Sequence, residues 1–195
     1  MAISRVTLSS ITQGFPKSRS FLDGNSAYLP PSFESIATVT GTGSSATLTL
    51  SSIPSTYKHL QLRFVGALST SSTGRISFNS DTTYTNYRTH YLENYSSAVG
   101  AGTYQSATYP GVALGVNTGF VSPFSMVIDL LDYANTSKNK TLRSINGVDV
   151  NGPGGAITLT SGLWLSTSAI NSITLTATSG FWSTASIIAL YGIKG

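Results

Sequence analysis

Phe124-Ser125-Met126-Val127-Ile128-Asp129-Leu130, answered after a polar run by Lys140-Thr141-Leu142-Arg143-Ser144-Ile145-Asn146-Gly147-Val148, decides the fold class. In the first segment Phe124, Met126, Ile128 and Leu130 recur at every second position, with Ser125 and Asp129 between them. A period of two is the signature of a strand with one buried face. Asn135-Thr136-Ser137-Lys138-Asn139 between the segments is too polar to bury. Its short Asn and Ser side chains bond the local backbone, which makes it a turn. Leu142 and Ile145 lie three apart, so a β-bulge is expected near Arg143-Ser144. The unit is a hairpin of an all-β domain.

The pattern extends outward in both directions. Ala46-Leu48-Leu50 alternates with Thr47-Thr49-Ser51, and Leu60-Leu62-Phe64 with His59-Gln61-Arg63. Ile76 and Phe78, Ala156 to Leu165, Ile173-Leu175-Ala177 and Ile187 to Ile193 add further strands. The last of these is apolar on both faces, as a central or interface strand should be. Asn151-Gly152-Pro153-Gly154-Gly155 is the strongest turn signal. Between Asp81 and Asn117 the alternation fails, and long excursions with one or two short strands are expected there. Eight or nine strands, no amphipathic helix and long connections predict a two-sheet antiparallel jelly-roll sandwich over residues 34–195, preceded by an extended N-terminal arm.

The chain has 195 residues, a length that suits one domain with a proper core and an extension. Only 9 % of the residues are charged, so the polar faces must be built from Ser, Thr, Asn and Gly. Such neutral surfaces suit repeated contacts in an assembly. The net charge is +4, but its eleven Lys and Arg are scattered singly, which argues against a nucleic-acid patch. Cysteine is absent, which excludes disulfides and thiolate zinc sites. No apolar run has signal-peptide or membrane-span length, so a protein made in the cytoplasm without membrane association is expected. The sequons at Asn94, Asn135 and Asn139 are then incidental.

Residues 1–33 differ from the rest. Arg5, Lys17 and Arg19 stand against the single acid Asp23, with Pro16, Pro30 and Pro31 as breakers. Val6, Leu8 and Ile11 suit one short strand, but nothing in this stretch can close a core. We read it as an attachment arm that lies on a partner or a neighbouring copy. Phe15, Phe21 and Tyr28, with Phe33, would be its apolar anchors, and Arg5, Lys17 and Arg19 its charged ones.

Reaction chemistry finds little support. His59 falls on the polar side of a strand beside Gln61 and Arg63, where a solvated or hydrogen-bonded role suffices. His90 lies near Arg88 and Glu93 without a partner that spacing can identify. No Gly-x-Ser-x-Gly elbow occurs. Asp129 and Asp132 are three apart and unsuited to paired acid–base work. Asp149-Val150-Asn151-Gly152 lacks the carboxylates of a calcium loop, and Gly100-Ala101-Gly102 lacks the spacing and lysine of a phosphate loop. We therefore expect no enzyme, no cofactor and no metal. The tyrosines stand out: Tyr84, Tyr87, Tyr91, Tyr95, Tyr104 and Tyr109, together with His90, crowd the region without clear strands. Two readings stay open: rings that plug the open end of the sandwich, or contact residues for a subunit or a glycan.

Several phrases carry a resemblance. Ser52-Ile53-Pro54-Ser55-Thr56-Tyr57-Lys58-His59-Leu60-Gln61-Leu62-Arg63, Ile128-Asp129-Leu130-Leu131-Asp132-Tyr133-Ala134-Asn135, Ser161-Gly162-Leu163-Trp164, Ile170-Asn171-Ser172-Ile173-Thr174-Leu175 and Leu190-Tyr191-Gly192-Ile193-Lys194 are similar to the structural proteins of tailed bacteriophages, especially aquatic, cyanophage-like ones. The likeness spans roughly residues 36–194 and supplies no catalytic residue. It implies a virion location, as a capsid decoration (cement) protein or as a tail fibre or knob component. The segment Thr7 to Tyr28 looks like the attachment arm that both roles use. The partners so implied are the major capsid protein, or a tail adaptor or tube protein, and further copies of the chain, with a trimer expected. The apolar last strand or the Tyr-rich loops would lie at those contacts. Decoration is the first expectation and a glycan-contacting receptor-binding module the second.

Overall fold

A computed structural model describes residues 32–96, 98–105, 108–115, 122–151 and 154–195. Arg5, Phe15, Lys17, Arg19, Phe21 and Tyr28 lie outside the described residues. Twelve strands are present among those described: β1 (Phe33–Thr40), β2 (Thr47–Leu50), β3 (His59–Gly66), β4 (Gly74–Phe78), β5 (Tyr87–Tyr95), β6 (Ala98–Tyr104), β7 (Val112–Ala113), β8 (Phe124–Leu131), β9 (Lys140–Asp149), β10 (Gly155–Trp164), β11 (Ile173–Ala177) and β12 (Ile187–Ile193). They form an eight-stranded sheet in the order β1-β12-β3-β8-β9-β10-β5-β6 and a four-stranded sheet in the order β2-β11-β4-β7. Every pairing is antiparallel. The architecture is an all-β two-sheet sandwich of the jelly-roll type.

The core follows from the alternation. Leu60, Leu62 and Phe64 of β3, Phe124, Met126, Ile128 and Leu130 of β8, and Ile188 and Leu190 of β12 point inward from the large sheet. Leu48 and Leu50 of β2, Ile76 and Phe78 of β4, and Ile173 and Leu175 of β11 meet them from the small one. Trp182, fully buried, packs edge-on to Phe64 at 5.2 Å between ring centroids. Each such side chain contributes about 1.5–3 kcal/mol through the area it removes from water. β12 is a central strand, paired to β1 and to β3; Ile188 and Leu190 are buried on its inner side, while Ile187 is 42 % exposed on the outer side, where Phe33 of β1 stacks on Tyr191.

Two expectations are corrected here. The stretch from Asp81 to Asn117 holds a nine-residue strand, β5, hairpinned to the seven-residue β6. Counting aliphatic residues misses it, because its inward positions are Tyr87, Thr89 and Tyr91, and aromatic and β-branched residues are strand formers in their own right. The strand total accordingly exceeds eight or nine. The bulge expected near Arg143-Ser144 is absent, since the β8–β9 and β9–β10 registers run without a shift through those residues. Leu142 and Ile145 point to opposite faces: Leu142 is buried, whereas Ile145 is 49 % exposed.

The inner face of β9 and β10 is polar for a local reason. The chain from Val112 to Gly115 crosses it, bringing peptide groups that need partners. Asn146 Nδ2 donates to the Leu114 carbonyl and Thr158 Oγ1 to that of Gly115, while Thr89 Oγ1 accepts from the Ala113 N–H at 3.1 Å. Thr158 is therefore buried, Thr160 is buried on the same side with its hydroxyl oxygen unpartnered, and the aliphatic residues that alternate with them, Ile157 and Leu159, face outward.

Candidate functional site

The outward row of the large sheet reads, strand by strand from β8 to β6, Val127, Ile145, Leu159, Leu92, Ala101, each residue the register partner of the next. Ile145, Leu159 and Leu92 are each about half exposed (49 %, 50 % and 52 %). The neighbouring row reads Val65, Ser125, Gly147, Ile157, Asn94, Val99 across β3 to β6. Ile157 and Val99 are 53 % and 77 % exposed in it. Where Ser125 and Gly147 carry little or no side chain, a shallow depression of about 380 Å³ opens between Arg63, Val127, Ile145 and Ile157. On the other flank the row is polar: Gln61, Asp129, Arg143, Ser161, His90. Gln61 Nε2 donates to Asp129 Oδ1 at 2.9 Å, and Arg63 Nε to Gln61 Oε1 at 3.0 Å. The face is thus a mostly neutral apolar band with one hydrogen-bonded border.

The residues singled out from the sequence lie in different surroundings. Tyr87 is a core residue, 2 % exposed, whose hydroxyl accepts from the Phe78 N–H and donates to the Asp81 carbonyl. Burial, above all, pushes its phenol well above the ordinary tyrosine range. Tyr84 is exposed on a short 3-10 turn, Tyr84–Asn86, and His90 is exposed in the polar outer row. Tyr91 and Tyr104 come together with Glu93, Thr73 and Thr89 around a cleft of about 180 Å³. Beside it the Arg75 guanidinium lies under the rings of Tyr104 and Tyr109, 4.7 and 5.8 Å from their centroids. Arg75 is 2 % exposed and donates Nη1 to the Gly111 carbonyl at 3.1 Å. Tyr95 is half-buried at the end of β5 opposite Ala98. Phe33, grouped with the arm by sequence, opens β1 and stacks on Tyr191 at 4.8 Å, with Arg63 above both rings.

Two charged groups elsewhere, Lys140 and Asp132, have structural partners. Lys140, 2 % exposed, donates Nζ to the carbonyls of Asn135, Lys138 and Thr167. Burial, and then Lys138, lower its pKa from the ordinary lysine value. Asp132, at φ +50°, closes the β8–β9 turn with Lys138 and Lys58, the latter at 3.0 Å. Its N–H donates to His59 Nδ1. Among the described residues no group of three or more His, Asp or Glu could hold a metal ion, and no helix is long and apolar enough to cross a membrane.

No protein family, no curated protein and no solved structure matches the chain.

The sequence reading missed the apolar band. The signal was present in Ile157-Thr158-Leu159-Thr160, whose alternation is plain but whose inward face is the threonine side.

Proposed function

We propose that this chain is a non-enzymatic structural protein of a tailed-phage virion, a decoration protein that joins the capsid shell through its N-terminal arm and steadies neighbouring capsomers. The observation that supports it best is the outward band Val127-Ile145-Leu159-Leu92-Ala101 in a chain with so few charges. A solvated enzyme surface has no use for a continuous aliphatic row, whereas a protein that spends its life against other subunits does. The phrase-level likeness to phage structural proteins points the same way. Many weak attachments in one shell act together, so each arm needs little affinity of its own. Copy number in purified particles tests the reading: hundreds are expected for a shell protein. Removing residues 1–31 is expected to leave a soluble sandwich that no longer enters particles, and continued incorporation would count against the arm.

The cleft under Tyr104 favours a second reading, a tail module that binds surface glycans. Aromatic faces at Tyr91 and Tyr104, with the Glu93 carboxylate and the Thr73 and Thr89 hydroxyls, suit a sugar ring with equatorial hydroxyls. Tyr91→Ala with Tyr104→Ala would then abolish adsorption to host cells, while a decoration protein would leave adsorption unchanged.

A further inference from the structure

We propose that the outer face of β8, β9, β10 and β5 pairs with the same face of a second copy of this chain, sheet on sheet, about a two-fold axis along the β9–β10 seam. The argument rests on what that axis brings together. It exchanges β9 with β10 and β8 with β5, and it keeps each cross-strand row opposite itself. In the central row Ile145 of one copy then lies over Leu159 of the other, and Val127 over Leu92. Apolar meets apolar across these four strands, and only at the rim does Ala101 of β6 come opposite Arg63 of β3.

The adjacent row adds shape. Gly147 and Ile157 are register partners on β9 and β10. The same operation therefore sets Ile157 of each copy above Gly147 of the other. Ile157 is 53 % exposed, and Gly147 floors the 380 Å³ depression with Ser125. A knob and its hole stand side by side on one surface, which is what a self-complementary, isologous contact requires. The polar row is compatible as well, because the Asp129 carboxylate on β8, an acceptor, comes opposite the His90 imidazole on β5, which can donate, and the reverse holds too. Each of these matches is made twice.

The size is sufficient. Half-exposed aliphatic side chains over four strands make an apolar patch on the order of 300–600 Å², the most that a monomer ordinarily leaves to solvent. With its polar border the face approaches the roughly 800 Å² that each partner gives to a stable interface. Sheets packed this way sit about 10 Å apart with strands aligned to within about 30°, and the matches above lie close enough to the axis to survive that angle. A two-fold pair replaces the trimer expected from sequence. It deepens the assembly reading by naming a partner, and the two can fail separately: a chain present on particles yet monomeric in solution sinks the pairing alone.

Sedimentation of the full chain across a micromolar concentration range tests it. A dimer is expected for the native sequence. Ile145→Lys, at the centre of the band, is expected to weaken association by well over tenfold, as is Gly147→Val, which fills the hole; a tenfold change corresponds to about 1.4 kcal/mol. Gly147→Val is the discriminating variant, since it adds apolar surface and would strengthen any unspecific stickiness. It should not harm the fold: the nearest atom to a Cβ placed there is the Ala156 carbonyl oxygen at 3.9 Å. Thr49→Lys, on the outside of the small sheet, serves as the control and should leave the dimer intact. If Ile145→Lys fails to fold, Ile157→Ala removes the knob instead. A monomeric or trimeric native chain, or a Gly147→Val variant that associates as tightly as the native one, overturns the proposal.

Discussion

The Trp164 indole Nε1–H donates to Asp81 Oδ2 at 2.7 Å, joining the end of β10 to the loop after β4. The same carboxylate accepts from Asn86 Nδ2 and from the Thr83 N–H, both at 2.8 Å. Burial pushes the Asp81 carboxyl up, but the bonds from Asn86, Trp164 and Thr83 outweigh it and hold its pKa below the ordinary value. The aromatic end of the sandwich, where Trp164 stacks on Tyr87 and packs against Phe78 at 5.5 Å, is organised around this acid. Asp81→Ala leaves the indole N–H without its partner and frees the 3-10 turn. A loss of about 2–4 kcal/mol is expected in urea unfolding. Asp81→Asn, which keeps an acceptor, should lose less.

Lys140 is a buried cation neutralised by dipoles alone, with three carbonyl partners among the described residues. Lys140→Met fits the space but leaves those carbonyls unanswered. We expect a loss of about 3 kcal/mol at neutral pH, read from the urea midpoint. An unchanged midpoint would mean that water replaces the ammonium freely.

Asp132 carries the acid sensitivity of the β8–β9 turn. Lys138 first, and Lys58 second, hold its carboxyl at about 2, against an ordinary 3.8. A folded-state pKa below the unfolded one stabilises the fold fully above the ordinary value, and that contribution disappears as the pH falls toward about 2. Asp132→Asn tolerates the same positive φ but has no charge to lose. The native chain is expected to exceed the variant in stability near neutral pH and to converge with it in strong acid. Parallel curves over that range would assign the acid limb to another group.

Gly192 on β12 lies directly against the Tyr57 ring: a Cβ there would come within 2.4–2.5 Å of three ring carbons. The ring cannot simply swing away, because Tyr57 donates its hydroxyl to Glu34 Oε2 at 2.8 Å and Glu34 also pairs with Lys194. Gly192→Ala is expected to cost about 1–3 kcal/mol. It should also move the Tyr57 phenol back from its present raised pKa, which the Glu34 bond maintains before burial adds to it. A spectroscopic tyrosine titration reads that shift independently of stability.

Much of the fold was legible where one side of a strand is aliphatic and the other is not. Phe124 to Leu130, Leu60 to Phe64 and Ile173 to Ala177 declare themselves, and each buries the residues its alternation names. β5 was illegible to the same eye, because its buried side is made of tyrosine and threonine. Tyr87, conspicuous as a candidate contact residue, is a core ring, while the exposed Tyr104 covers Arg75. No spacing rule separates those two, since the difference lies in what each one packs against: Phe78 and Trp164 for Tyr87, Arg75 for Tyr104.

Alternation, turn chemistry and the scarcity of charge are properties of neighbouring residues, so the chain's order alone set the all-β class, the strands and the neutral surface. Which side of a strand faces the core is a different matter, because a period of two is the same read from either face. In β9 and β10 the passage of Val112 to Gly115 across the sheet decided it: peptide groups without partners drew Asn146 and Thr158 inward, and Ile145, Ile157 and Leu159 were left outside. The apolar band exists only because two segments distant in sequence had to satisfy each other's hydrogen bonds.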